Sequence, residues 1–150
     1  MIGQAAFFSG PYDEAMTLLV ESRNYVAYLS EADQQRMPPG ARLQVSFESM
    51  RLTSRMTQVM AWLLAQKALH AGEITLSELA SERFALGGEK ICANNESAHC
   101  PDLPMRLRRL LNRSHNLYER IARLDALVRQ TAQSQTAPKT KTRPALAPVG

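Results

Sequence analysis

Leu103, Leu107, Leu110, Ser114, Leu117, Ile121, Leu124 and Val128 are separated by alternating steps of four and three, and seven of the eight are large aliphatics. Such steps hold side chains on one face of an α-helix, whereas strand side chains alternate between faces. Residues 103–129 are therefore predicted as one helix whose seam packs in a bundle or coiled coil. Each large side chain buried along it contributes about 1.5–3 kcal/mol. Ser114 is the seam's one polar break.

The rest of the chain supplies partners for that seam. Residues 11–29 repeat apolar groups at helical spacing (Ala15, Leu18, Leu19, Tyr25, Val26, Leu29), with Gly10 and Pro11 at the start and Asp13 and Glu14 in the first turn. Acids there complement the helix dipole. The helix is expected to stop before Met37-Pro38-Pro39-Gly40, because neither proline can donate to a continuing helix. Residues 42–71 contain no Gly or Pro and precede Gly72, which predicts a second helix about 45 Å long with a glycine cap. Val45, Leu52, Met56, Val59 and Leu63 form one apolar row on it, and Leu43, Phe47, Met50, Leu64 and Ala68 form another beside it. An arc that wide serves two neighbours or a subunit interface.

Thr75-Leu76-Ser77-Glu78 has capping-box spacing, which predicts a short helix through about Arg83. Residues 85–101 hold a glycine pair, an asparagine pair and no periodicity, as a long surface loop would. From 131 onward the chain is rich in Thr, Ala, Pro and Lys with no acid or aromatic, and is expected to be disordered. No strand pattern occurs. The expected fold is all-α: a three-helix antiparallel bundle with a short extra helix and a disordered C-terminal tail, that is, one domain over 1–130 and a tail over 131–150.

Chemistry is hard to find in this pattern. Walker, Rossmann, HExxH and GxSxG motifs are absent, and the acids scatter over helix faces, so no enzyme or cofactor is expected. Cys92, His99 and Cys100 share a loop, but no CxxC occurs, and His70 and His115 fall on predicted helices. Plain loop residues are the better reading than a zinc site. No apolar run approaches the roughly 20 residues of a membrane span, and residues 1–10 lack a charged start before an apolar stretch, so a cytoplasmic protein with reduced thiols is expected.

Charge is the remaining signal. Residues 1–102 carry eight basic and twelve acidic side chains, against ten and two in residues 103–150. Arg106, Arg108, Arg109, Arg113, Arg120, Arg123 and Arg129 all lie on the last helix. Nucleic acid is one partner such a helix could meet. Against it, the arginines are expected around most of the circumference outside the seam, and no interleaved aromatics offer stacking. The alternative is a solvated face that also meets the acidic first part of the chain. Trp62 shares a helical row with Arg51, Arg55, Gln58 and Leu69, otherwise the polar face of the long helix. It serves either as a rim of the core or as an anchor for a partner.

The segment ESMRLTSRMTQVMAWLLAQKALHAGEIT, Glu48 to Thr75, followed by a loop and the helix LPMRLRRLLNRSHNLYERIARLDALV, resembles the RcdA family of alphaproteobacteria, the regulators of CtrA degradation. The likeness covers about residues 11–130. It implies a three-helix bundle that forms a homodimer, concentrates at a cell pole and acts as an adaptor in cell-cycle-regulated proteolysis. By that resemblance its partners are the ClpXP protease, a CpdR-like response regulator and substrate proteins. The expected protein-binding surface combines the polar row of the long helix, Glu48, Arg51, Arg55 and Trp62, with Arg106, Arg109 and Arg113 of the last.

Overall fold

The computed structural model describes the backbone of residues 2–137 and the side chains of residues 9–137. Three long helical segments carry the fold. Helix α1 (Ile2–Asn24) passes through a π-helical turn (Tyr25–Leu29) into α2 (Ser30–Gln34). Pro11 lies inside α1 and does not begin it. One missing N–H is a local loss, and the preceding residues, with Ala5 and Ala6 among them, continue the helix.

Helix α3 (Pro39–His70) starts earlier than the sequence predicts. The two prolines that end the preceding helix serve as N-cap and first residue of the next, where a missing N–H costs nothing. Its other end closes as expected. Gly72 has φ +75°; its N–H donates to the Leu69 carbonyl at 3.1 Å and that of Glu73 to Ala68 at 2.9 Å, the paired bonds of a Schellman cap.

Helix α4 (Leu76–Leu79) opens on the predicted capping box: Thr75 Oγ1 accepts from the Glu78 N–H at 3.1 Å, and Glu78 Oε2 accepts from the Thr75 N–H at 2.7 Å. It is shorter than expected and passes into a 3-10 turn, Glu82–Phe84. Two short helical pieces follow, α5 (Glu89–Cys92) and a 3-10 turn (Glu96–His99). Helix α6 (Met105–Thr136) completes the fold. It extends beyond 130, so residues 131–136 belong to the helix; Thr131, Ser134 and Thr136 each donate a hydroxyl to a carbonyl one turn back. The rest of the expected tail, 138–150, lies outside the described residues.

The three-helix bundle is present. Glu14 meets Arg120 and Glu21 meets Arg113, so α1 runs antiparallel to α6. Tyr12 lies against Lys67, and Val26, farther along the first segment, lines a groove with Met50 and Thr53, so the first segment is antiparallel to α3 as well. Helices α3 and α6 run parallel, since Arg55 meets Leu111 and Trp62 meets Asp125. The segment 71–104 must therefore bring the chain back along the bundle. The core holds the seam residues Leu103, Leu107, Leu110, Leu117 and Ile121, the α3 row Val45, Leu52, Met56, Val59 and Leu63, and Ala15, Leu18 and Tyr25 from the first helical segment. Leu124 and Val128 are only half-buried.

Candidate functional site

Arg55 is among the largest side chains with no exposure at all, 0%. A buried guanidinium is tolerable only if its five N–H groups find acceptors, and here each does. Nε donates to the Cys92 carbonyl at 2.7 Å, and Nη1 donates to the Leu111 carbonyl at 2.9 Å and to Ser114 Oγ at 3.1 Å. Nη2 donates to the Asn94 carbonyl and, at 3.3 Å, to Asn95 Oδ1. All are neutral oxygens. Burial pushes the guanidinium pKa down to about 10, with Arg51 adding repulsion, and it stays charged at neutral pH.

The seam's polar break thus faces the polar residue of the long helix. Ser114 is fully buried; it donates to the Leu111 carbonyl at 3.0 Å and offers its lone pair to Arg55.

Arg55 is one of several side chains that hold the 86–100 segment by its backbone. Gln58 Oε1 accepts from the Gly87 N–H at 3.1 Å, and Tyr118 Oη donates to the Gly87 carbonyl at 2.9 Å. Arg51 Nη1 donates to Ile91 at 2.6 Å, and Arg108 Nε donates to Ala98 at 3.1 Å, in both cases to the carbonyl. Asn95 is further tied to Asn112 at 3.0 Å. Gly88, at φ +74°, adopts the left-handed region, and a Cβ there would stand 3.0 Å from Cys92 Sγ and 3.3 Å from Gln58 Cγ. An L side chain there would be strained by the backbone and crowded by both neighbours. Burial raises the Cys92 thiol pKa and lifts the Tyr118 hydroxyl to about 12. Cys92 is thus a protonated core thiol with little nucleophilic character.

These contacts correct the expected binding row. Glu48, Arg55 and Trp62 are buried, and Arg51 is half-buried, bonded to Glu48 Oε2 at 3.0 Å and to Ile91. The row is polar because it faces a loop: an irregular segment presents unpaired carbonyls, and polar side chains opposite must satisfy them. The sequence carried a signal for this in the one serine of the aliphatic seam. Trp62 is at the rim of the core, 2% exposed, and Nε1 donates to Asp125 Oδ1 at 2.9 Å. Trp62→Phe keeps most of the apolar contact and is expected to cost about 0.5–1.5 kcal/mol in urea unfolding; no change would show that the bond contributes nothing.

The exposed faces lie elsewhere. Leu43, Phe47, Met50, Thr57, Ala61 and Leu64 are exposed, and Ser54 and Ala68 are half-buried. These eight follow alternating steps of four and three, a second seam with no charged residue, and Met50 is 68% exposed. Solvated helix faces are ordinarily charged, so this face has the composition of a covered one.

On α6, Arg108 turns to Ala98 and Arg129 to Asp125 at 3.2 Å. Arg106, Arg109, Arg113, Arg120 and Arg123 are exposed and share one face at helical spacing. Arg108 and Arg129 stand on other sides, so the arginines do spread around the helix as expected, while the exposed ones gather in one stripe. Glu21 neutralises Arg113 and Glu14 neutralises Arg120; the hydrogen bond from Arg113 holds the Glu21 carboxyl below its ordinary pKa. The acidic first helix thus takes up part of the basic excess, and Arg106, Arg109 and Arg123 extend the face.

Among the described residues, no three of His, Cys, Asp and Glu are grouped to hold a metal ion, and no helix is long and apolar enough to cross a membrane. No curated protein matches the chain. The family described as "Protein of unknown function (DUF1465)" matches residues 3–147. The crystal structure of RcdA from Caulobacter crescentus CB15 is similar with 33% sequence identity and a TM-score of 0.66, over 81% of this chain and 89% of that one. With the family matching almost the whole length and a solved relative at this identity, the chain belongs to the DUF1465 family, the family of RcdA.

Proposed function

We propose that this protein is a non-enzymatic adaptor for regulated proteolysis. It acts as a homodimer in the cytoplasm, concentrated at a cell pole, and joins ClpXP and a CpdR-like response regulator to cell-cycle substrates. The observation that carries the reading is the uncharged exposed row on α3, from Leu43 to Ala68, in a chain of the RcdA family. An adaptor works by surfaces alone, and this row supplies one.

Two faces divide the work. The α3 row suits a second copy of the chain. In an antiparallel crossing near Thr57, Phe47 falls opposite Ala68, Met50 opposite Leu64, and Ser54 opposite Ala61, so that small side chains meet near the crossing point and apolar ones meet farther out. The arginine face of α6, with Arg106, Arg109 and Arg113, suits an acidic protein surface, where charge governs encounter and register. Nucleic acid is the weaker reading, because two of the five arginines are already paired and no aromatics stand between them.

A reconstituted degradation assay tests this: ClpXP, the response regulator and a candidate substrate, with and without the protein. Faster degradation on addition supports the reading. Phe47→Glu with Leu64→Glu, both at exposed positions, is expected to give a monomeric mass in light scattering, an unchanged melting temperature and lost delivery. An unchanged degradation rate for every substrate, together with salt-sensitive DNA binding, would replace the adaptor with a nucleic-acid-associated protein.

A further inference from the structure

The outward side of α6 carries a symmetrical pattern. Met105, Arg109, Asn116, Arg123 and Leu127 are separated by steps of four, seven, seven and four, which keep all five on one strip of the helix. All five are exposed, the apolar ends to 62% at Met105 and 58% at Leu127. The helical rise makes the strip about 33 Å long. Among the described residues neither Arg109 nor Arg123 has an ion-pair partner. The acids of α6 are turned elsewhere, Glu119 to His115 at 3.6 Å and Asp125 to Arg129 and Trp62. The adjoining edge of the helix shows what such a strip accepts. Arg113 and Arg120, seven apart, meet Glu21 and Glu14, seven apart on the antiparallel α1. Arg109 and Arg123 repeat the pattern at twice the spacing and stand in solvent.

We propose that this strip receives a helix of another protein that bears two acids fourteen residues apart, with an apolar residue about one turn outside each. The same strip on a second copy of this chain is the wrong occupant. An antiparallel copy centred on Asn116 sets Arg109 against Arg123, a parallel one sets each arginine against itself, and like charges brought face to face oppose association. Nucleic acid rewards the cations but gains nothing from the apolar ends, since its backbone offers phosphates alone. An acidic helix uses every position: its carboxylates meet Arg109 and Arg123 as Glu14 and Glu21 meet their partners, and its apolar residues cover Met105 and Leu127. The inference rests on the reading of the arginine face of α6 as a protein-binding surface. It adds the form of the partner, the spacing of its acids and the two apolar ends.

The probe is a synthetic helical peptide of alanine and glutamine with two glutamates fourteen residues apart and a leucine four residues outside each. It is titrated into the full chain at low ionic strength, where exposed charges are least screened, and followed by amide chemical shifts. Shifts centred on residues 105–127 are expected. A control peptide of the same composition, with its glutamates on the face opposite the leucines, is expected to bind about fivefold more weakly. Arg109→Glu with Arg123→Glu, both at exposed positions, is expected to keep the melting temperature, weaken the glutamate peptide and prefer one with lysines in place of the glutamates. Four results overturn the proposal: equal binding of the two glutamate peptides, undiminished binding by the double variant, tighter binding of a DNA duplex at the same residues, or self-association that the double variant abolishes. Peptide binding needs no protease, so this result and the degradation assay can fail independently.

Discussion

Arg55→Met is expected to lower the unfolding free energy by about 2–4 kcal/mol. Methionine keeps much of the length and volume, so the loss reports the hydrogen bonds rather than a cavity. The guanidinium is the one group that binds Cys92, Asn94 and Asn95 of the returning segment and Leu111 and Ser114 of α6 together. Without it the Cys92 carbonyl loses its Arg55 partner in the interior. Urea unfolding measures the total, and amide hydrogen exchange locates it: faster exchange is expected over residues 86–100, with the bundle helices keeping their protection. Arg55→Lys is expected to cost at least as much, because one ammonium cannot reach five acceptors and remains a buried charge. Wild-type stability and wild-type exchange in Arg55→Met would show that the segment is held by packing alone.

Ser114→Leu is the sharper case, since heptad logic and the structure give opposite signs. A leucine at position 114 completes the aliphatic seam, and from periodicity alone it should stabilise the helix packing. In the fold, Ser114 Oγ sits 3.1 Å from Arg55 Nη1 in a fully buried position. Leucine removes an acceptor from a buried charge and forces larger apolar bulk into filled space. A loss of about 3–5 kcal/mol is expected, from overpacking and the unpaired donor together. Leu117→Ala, nearby in the same seam and also fully buried, provides the ordinary scale of about 2–5 kcal/mol for removing a core leucine. A Ser114→Leu variant as stable as the natural chain would mean that the Arg55 bond is dispensable. Combined with Arg55→Met, the serine substitution should cost less than the sum of the two, because the partner it deprives is already gone.

The helices were legible in the sequence because each carries its own pattern. The α6 seam, the proline-free run of α3, the glycine at 72 and the capping box at Thr75 are short-range signals, and all stand in the structure. Boundaries shifted where a residue's local role was ambiguous: Pro38 and Pro39 end one helix and begin another, and Pro11 interrupts α1 without ending it. The candidate site was less legible. Arg51, Arg55, Glu48 and Trp62 were grouped correctly as one row, yet a helical net does not say what lies opposite. The net separates faces by angle, and angle says nothing about which face a non-periodic loop will cover.

Sequence alone therefore determined the all-α architecture, the three long segments and the surplus apolar row of α3, because periodicity and caps act within a few residues along the chain. Only the tertiary structure decided which polar row is interior. Burial of Arg55 depends on carbonyls of residues 92, 94 and 111 and a hydroxyl at 114, brought together from 37 to 59 residues away. A loop advertises no periodicity, and its hydrogen-bonding demand is spent on backbone atoms that every residue type shares. The same closure of the loop over one face of α3 leaves the uncharged row on another face exposed.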